Sequence, residues 1–218
     1  MLLDFFFPNR CLQCNQIIAG ENVVCEVCFS QIHFAHFDFY EENLLKEKCK
    51  LLFPVENAFA LLLFEEESLS RKIIHQLKYG SREKIGKLLA KWTIEKLDFK
   101  EEKPDLLVTI PLHPKKLKVR GYNQLHLYAE TISEHFAIPF DHEILKRNVH
   151  SKAQAKKNKE QRLNSEGKFS LQKNISGKHI LLIDDVFTTG NTMSDAVWQI
   201  LKNPENKISV LVMAMNQS

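Results

Sequence analysis

The chain has little excess charge of either sign, few cysteines and no long apolar run, and each shortage removes a class of protein. Thirty Lys and Arg stand against 27 Asp and Glu, a formal net charge of +3 over 218 residues. Dedicated nucleic-acid binders concentrate far more basic charge than this on one face. No stretch approaches the ~20 apolar residues needed to cross a bilayer, so membrane insertion is not expected. The opening Met1-Leu2-Leu3-Asp4-Phe5-Phe6-Phe7-Pro8 is apolar, but it lacks a basic start, contains Asp4 and is halted by Pro8, which argues against a secretory signal. Neither an internal repeat nor a low-complexity tract is present. These features predict a soluble, cytoplasmic protein. At 44% apolar residues it can bury one substantial core and carry a small satellite module.

Of the five cysteines, four fall as Cys11-x-x-Cys14 and Cys25-x-x-Cys28. Each short turn aims two thiolates at one point, and two such turns make the tetrahedral four-thiolate set of a structural Zn²⁺ site. Two disulfides or a redox dithiol are the alternatives, but a reducing cytosol disfavours the first, and a redox motif normally uses one pair beside a βαβ unit. Four protein ligands leave no open position for chemistry. His33 and His36 lie just beyond a set that is already complete, and Cys49 is left without a role. Residues 1–52 are expected to form the zinc module and a possible hood, and residues 53–218 the main domain.

From about Val55 the pattern changes. Ala58 to Phe64 is an unbroken apolar run, and Leu69, Ile73 and Leu77 then mark one helical face. A second helix is expected from about Glu83 to Leu97. Leu106 to Ile110 forms a short apolar run stopped by Pro111, and Tyr122, Leu125, Ala129, Ile132 and Phe136 share the face of another helix. Strands are expected near Phe140 to Leu145, at Lys168 to Leu171, at Ile180 to Ile183 and at Ile208 to Met213, with a helix from about Asn191 to Leu201. This alternation predicts an α/β fold: a mainly parallel sheet with helices on both faces.

Ligands of such sheets sit at the carboxyl ends of the strands. There the segment Asp184-Asp185-Val186-Phe187-Thr188-Thr189-Gly190-Asn191-Thr192 follows an apolar strand and opens a helix. A helix start supplies unpaired N–H groups and a positive dipole end, Gly190 allows close approach, and the hydroxyls of Thr188, Thr189 and Thr192 add donors. The set suits a phosphate. Adjacent carboxylates would repel that phosphate, but as acceptors they suit the vicinal hydroxyls of a sugar. The segment lacks the Gly-Lys-Ser/Thr ending of a P-loop.

Ile183 to Thr192 resembles the signature with which type I phosphoribosyltransferases hold 5-phosphoribosyl 1-pyrophosphate (PRPP). In that signature paired acids hold the ribose, and the Thr-Thr-Gly-x-Thr turn, here including Asn191, holds the 5′-phosphate. The chain as a whole resembles the ComF (ComFC- or GntX-like) family, associated with DNA uptake in competent bacteria. The resemblance rests on the paired Cys-x-x-Cys, Leu77-Lys78-Tyr79-Gly80, Ile110-Pro111-Leu112-His113-Pro114, Arg120-Gly121-Tyr122-Asn123-Gln124, and the spaced Gln154, Arg162, Asn164 and Phe169. It implies PRPP with Mg²⁺, and a pyrophosphate loop over Pro111 to Gly121 whose backbone contacts the diphosphate; charge building on that leaving group calls for cations, and Lys115, Lys116, Lys118 and above all Arg120 are placed to supply them. It also implies a mobile basic loop within Asn148 to Glu166, carrying Lys156, Lys157 and Arg162. That segment equally suits contact with single-stranded DNA, or simple solvation.

Two functions therefore stand open. One is a PRPP-binding protein of DNA uptake, with single-stranded DNA and uptake proteins as partners. The other is an Mg²⁺-dependent phosphoribosyltransferase with an unidentified acceptor. Little chain follows Met213, so any acceptor hood is expected from Gln31 to Leu52.

Overall fold

The computed structural model describes residues 8–20, 22–80, 82–100, 102–148 and 167–217. Its strands are β1 (Ala58–Leu63), β2 (Leu106–Thr109), β3 (Leu145–Arg147), β4 (Phe169–Leu171), β5 (His179–Phe187) and β6 (Lys207–Met215). Its helices are α1 (Glu26–Phe29), α2 (Leu44–Lys50), α3 (Leu69–Tyr79), α4 (Lys84–Ile94), α5 (Pro114–Arg120), α6 (Gln124–Phe136) and α7 (Asn191–Ile200). No helix among the described residues is long and apolar enough to cross a membrane.

Four strands form one parallel sheet in the order β1-β6-β5-β2. The central strands are buried along their apolar runs: Ile180 to Ile183 and Val210 to Met215 have no exposed surface. Such strands read as continuous apolar runs because helices cover both faces. The face carrying α3, α4 and α6 is built from helical stripes, with Ile73 and Leu77 from α3, Leu89 from α4, and Leu125, Tyr128 and Ile132 from α6. At its centre the hydroxyl of fully buried Tyr128 meets Thr93 Oγ1 at 2.8 Å, so the ring's polar atom is satisfied inside the core. Gly86 lets α4 approach α6, since a Cβ there would lie 3.3 Å from the Gln124 carbonyl oxygen.

The polar region around residue 145 departs in detail from its sequence reading. Phe140 makes only an isolated parallel bridge to Leu107, and the strand that follows begins at Leu145. β3 and β4 form a separate antiparallel pair, tied to α7 by Lys168 Nζ and Asp195 at 2.6 Å. A short helix also occupies Pro114–Arg120, within the segment that the sequence reads as a loop; none of its residues is buried, so no apolar spacing announces it.

The cysteine-bearing segment adds to the other edge of the sheet. Ala35 N–H donates to the Leu61 carbonyl at 3.0 Å and Leu63 N–H to the His33 carbonyl at 2.8 Å, giving an antiparallel bridge between Phe34 and Leu62. Side chains reinforce the joint. Phe29 and Phe34 lie edge-on to Trp92 of α4, with ring centroids 5.2 and 6.0 Å away. Leu45 and Cys49 of α2 are fully buried in the same core, and burial pushes the Cys49 thiol up to about 12, so it acts as a packing residue.

Trp92→Ala would remove the shared surface of this joint. A loss of about 3–5 kcal/mol is expected in urea unfolding; a loss below about 1 kcal/mol would show that the aromatic joint contributes little.

Candidate functional site

Sequence reading ends the central strand at Ile183 and puts Asp184 and Asp185 in a loop. β5 instead continues to Phe187, with Asp184 opposite Val212 and Val186 opposite Ala214 of β6. The neighbour explains this: β6 offers backbone partners as far as Met215, and pairing with them outweighs the weak strand preference of aspartate. Because successive residues of a strand face opposite ways, the two carboxylates point to opposite faces of the sheet.

Asp185 turns toward the helical face. Lys78 Nζ of α3 lies 2.8 Å from its Oδ1, and the Gln124 side-chain amide at the start of α6 donates to its Oδ2. Gln124 in turn accepts from the Arg120 guanidinium, so α3, α5 and α6 converge on one carboxylate. Asp184 accepts the N–H of Asp185 at 2.8 Å and meets the field of Arg147 on β3. Its carboxyl is walled in although the residue as a whole is only partly buried. Burial first, then the neighbouring charge of Asp185, raises it to about 7, against the pull of the Asp185 N–H, Lys78 and Arg147.

Beyond β5 the loop is only Thr188 to Gly190. Gly190 adopts φ 70°, and a Cβ there would sit 2.4 Å from Leu52 and 2.7 Å from the Phe187 ring. Only glycine fits. It is also the N-cap of α7, and no side chain caps that helix. Thr188 and Thr189 are exposed, and the Thr189 hydroxyl accepts from Asn191 Nδ2 at 3.0 Å. The threonines therefore leave the first N–H groups of α7 open to an anion, beside Thr192. Thr109, at the end of β2 and in register with Ile183, has a buried hydroxyl without a hydrogen-bond partner.

Lys115, Lys116 and Arg120 line a cavity of about 330 Å³ with Lys78, Tyr79 and Tyr122. Among the described residues they meet the acidic pair through Lys78 and through the Arg120–Gln124 contact. Lys156, Lys157 and Arg162 lie outside the described residues, as do Gln154 and Asn164. Three residues at the site had no assigned role in the sequence reading. Lys78 and Gln124 fall in short motifs and directly follow or precede buried apolar positions, a signal that could have marked them. Arg147 carries no such signal.

In the cysteine module the sulfurs of Cys11, Cys14, Cys25 and Cys28 all lie within 4.8 Å of one another, with Cys14 and Cys25 at 3.7 Å. Zn–S bonds of about 2.3 Å in a tetrahedron put sulfurs about 3.8 Å apart, so the set fits Zn²⁺. Burial opposes a Cys11 thiolate, but N–H groups of Cys14, Cys25 and Gln13 outweigh it and lower that thiol to about 6. Neither histidine joins the cluster: His33 Nδ1 lies 3.4 Å from Glu65, and His36 packs on the Phe34 ring.

Comparison with known proteins agrees with both ends. Residues 2–38 match a double zinc ribbon domain, and residues 126–217 a phosphoribosyl transferase domain. The chain is 29% identical over 147 residues to the DNA utilization protein YhgH of Escherichia coli K12, covering 63% of each. It is 26% identical over 211 residues to Competence protein F of Haemophilus influenzae, covering 87% of this chain and 90% of that one. It is 38% identical over 102 residues to Competence protein ComFC of Bacillus subtilis, covering 46% and 40%. The match thus spans less than two thirds of the length of the YhgH relatives.

Two outcomes are expected. A carboxyl raised in the folded state contributes its full stability below its unfolded value near 4, and loses it as pH rises through about 7. Asp184→Asn should therefore be more stable than wild type at pH 8, by on the order of 2 kcal/mol in urea melts, with the gap closing by pH 4; equal stability at pH 8 would contradict the burial argument. In a Trp198→Phe background, stripping zinc with a chelator should shift Trp92 emission to the red, because the rings packed on it belong to the cysteine module. An unchanged spectrum after proven zinc loss would show that the metal does not hold that joint.

Proposed function

The chain belongs to the ComF family, and on that premise we propose that it binds PRPP with Mg²⁺ and works in the cytosol in DNA uptake for natural transformation. The observation that carries this reading is the acidic pair of β5 followed, across Gly190, by the uncapped start of α7. In this reading the 5′-phosphate lies on the N–H groups of α7, with the hydroxyls of Thr188, Thr189 and Thr192 as further donors and Asn191 beside them. Asp184 and Asp185 accept from the ribose hydroxyls. Two oxygens offer about four acceptor sites, so Asp185 keeps capacity after Lys78 and Gln124 are served. Those two contacts hold it in place before the sugar arrives, which spares the entropy of ordering it on binding.

Arg120 is the cation assigned to the diphosphate, with Lys115 and Lys116 further along the same cavity. Mg²⁺, when bound, would neutralise the diphosphate oxygens. The names carried by the relatives, a DNA utilization protein and two competence proteins, support the cellular setting. Single-stranded DNA is proposed as a partner through the basic segment that holds Lys156, Lys157 and Arg162.

A second reading, transfer of phosphoribose to an acceptor, is favoured by the cavity that adjoins the acidic pair through Lys78. There the ribose C1 would exchange its bond to the diphosphate oxygen for one to the acceptor, and Arg120, Lys115 and Lys116 would stabilise the charge left on the diphosphate.

Titration calorimetry with PRPP and Mg²⁺ tests the binding. The double variant Asp184→Asn with Asp185→Asn should bind at least about tenfold more weakly than wild type, and equal affinity would remove the ribose assignment. Pyrophosphate release from PRPP across a panel of acceptors separates the readings, since binding without release favours the DNA-uptake role.

A further inference from the structure

A second cavity, of about 280 Å³, shares no lining residue with the one beside Lys78. It lies between the first cysteine turn and the solvent face of α3, lined by Leu12 of the turn and by Glu67, Arg71, Lys72 and His75 of α3 and its approach. Short contacts hold the two sides together. Leu12 N–H donates to the Val23 carbonyl at 2.9 Å, and Lys72 Nζ donates to Gln13 Oε1 at 2.8 Å. Arg71 is set by the Phe64 ring, whose centroid lies 5.9 Å from its Cζ. Ser68 caps α3 by accepting from Arg71 N–H at 3.2 Å, so the positive charge of the cavity belongs to side chains and not to the helix start.

That charge is unanswered. Arg71, Lys72 and Glu67 are exposed, and among the described residues none of them stands in an ion pair. Glu65, close in sequence, is turned to His33 Nδ1 at 3.4 Å. Lys72 keeps two N–H donors after Gln13 is served, and His75, packed on the Tyr79 ring at 4.9 Å between centroids, adds a ring N–H. The cavity thus presents side by side a guanidinium fork, an ammonium, a carboxylate acceptor and the surface of a leucine.

We propose that this cavity is a docking site for a partner protein, and that it takes the C-terminal end of the partner's chain where the last side chain is apolar. Such an end carries the complement of each group. Its carboxylate accepts from Arg71 and Lys72, in the geometry that a guanidinium fork favours. The N–H of the same residue donates to Glu67, and the side chain lies on Leu12. The volume is below the roughly 300–1,000 Å³ of sites for drug-sized ligands, which suits one terminal residue better than a large cofactor. A nucleic-acid strand has no N–H beside its phosphate for Glu67 to accept, and it would bring further phosphates toward Glu66 and Glu67, both exposed. None of these residues is assigned to PRPP, so the site stands or falls apart from that reading.

The test is calorimetric titration of the full zinc-loaded chain with N-acetylated tetrapeptides ending in Leu, Ile, Val or Phe, each with a free C-terminal carboxylate and as its amide. At least one free acid should bind with a Kd below about 1 mM and at least about tenfold more tightly than its amide. Arg71→Gln should weaken that binding at least about tenfold, and Glu67→Ala about threefold. Both positions are exposed, and urea midpoints equal to wild type check that the variants fold. Because the bound end joins α3 to the first cysteine turn, it should also slow zinc loss to a chelator by at least about threefold when present at about ten times its Kd. No binding by any free acid below about 1 mM would overturn the proposal. So would amides that bind as well, wild-type affinity in Arg71→Gln, or zinc loss at an unchanged rate, which would place the peptide elsewhere. Oligothymidylate that displaces the peptide and is itself weakened by Arg71→Gln would make this a nucleic-acid surface and overturn it too.

Discussion

Two carboxylates adjacent in sequence, carried on a strand between two paired neighbours, impose the condition that the rest of this molecule meets. An ionised carboxylate withdrawn from water costs several kcal/mol unless charged or hydrogen-bonding partners replace its hydration, and a second one beside it adds repulsion. The partners come from far along the chain: Lys78 is 107 residues from Asp185, and Gln124 is 61. Arg147 faces Asp184 from β3. Because the strand sends the two carboxylates to opposite faces, both faces have to be covered, by α3 and α6 on one side and by the β3–β4 pair on the other. The architecture around β5 follows from that requirement.

The same requirement explains why the site stays open to a ligand. Asp185 is served by two partners and is rigid. Among the described residues Asp184 has no close cationic hydrogen bond, and burial with the neighbouring charge of Asp185 raises its proton affinity. A sugar hydroxyl donating to it would supply what the protein leaves out. Behind Gly190 the start of α7 is left uncapped in the same way. Sites that bind polar ligands keep such unmet hydrogen-bonding capacity, whereas in the core the Tyr128 hydroxyl is paired with Thr93.

In the cysteine module the balance is different. The module buries only a few apolar side chains, Val23, Val24 and Ile32 among them, and its four sulfurs are arranged so that a metal can tie its turns together. Its attachment uses both available devices, backbone pairing of residues 33 to 35 with β1 and aromatic packing of Phe29 and Phe34 on Trp92. The module therefore belongs to the sheet edge, and its four sulfurs have a structural task.

The strands β1, β5 and β6 were legible as apolar runs because parallel strands are buried on both sides, and α3 and α6 as helices because each shows one apolar stripe. The four cysteines were legible because two residues between ligands is a local turn geometry, and the Thr-Thr-Gly-x-Thr turn because a helix start is local too. Helix α5 was not, since a helix that buries nothing carries no periodic signal. Nor was the extension of β5 through Asp184 and Asp185, which depends on β6 lying alongside. The sequence by itself determined the local chemistry: the four-cysteine set, the glycine-bearing turn that opens α7 and the acidic pair. Only the tertiary structure decided that the two acids face apart, that Lys78, Gln124 and Arg147 answer them, and that the basic helix encloses a cavity with Tyr79. Those facts rest on contacts between distant segments, whose partners are chosen by packing and not by spacing along the chain.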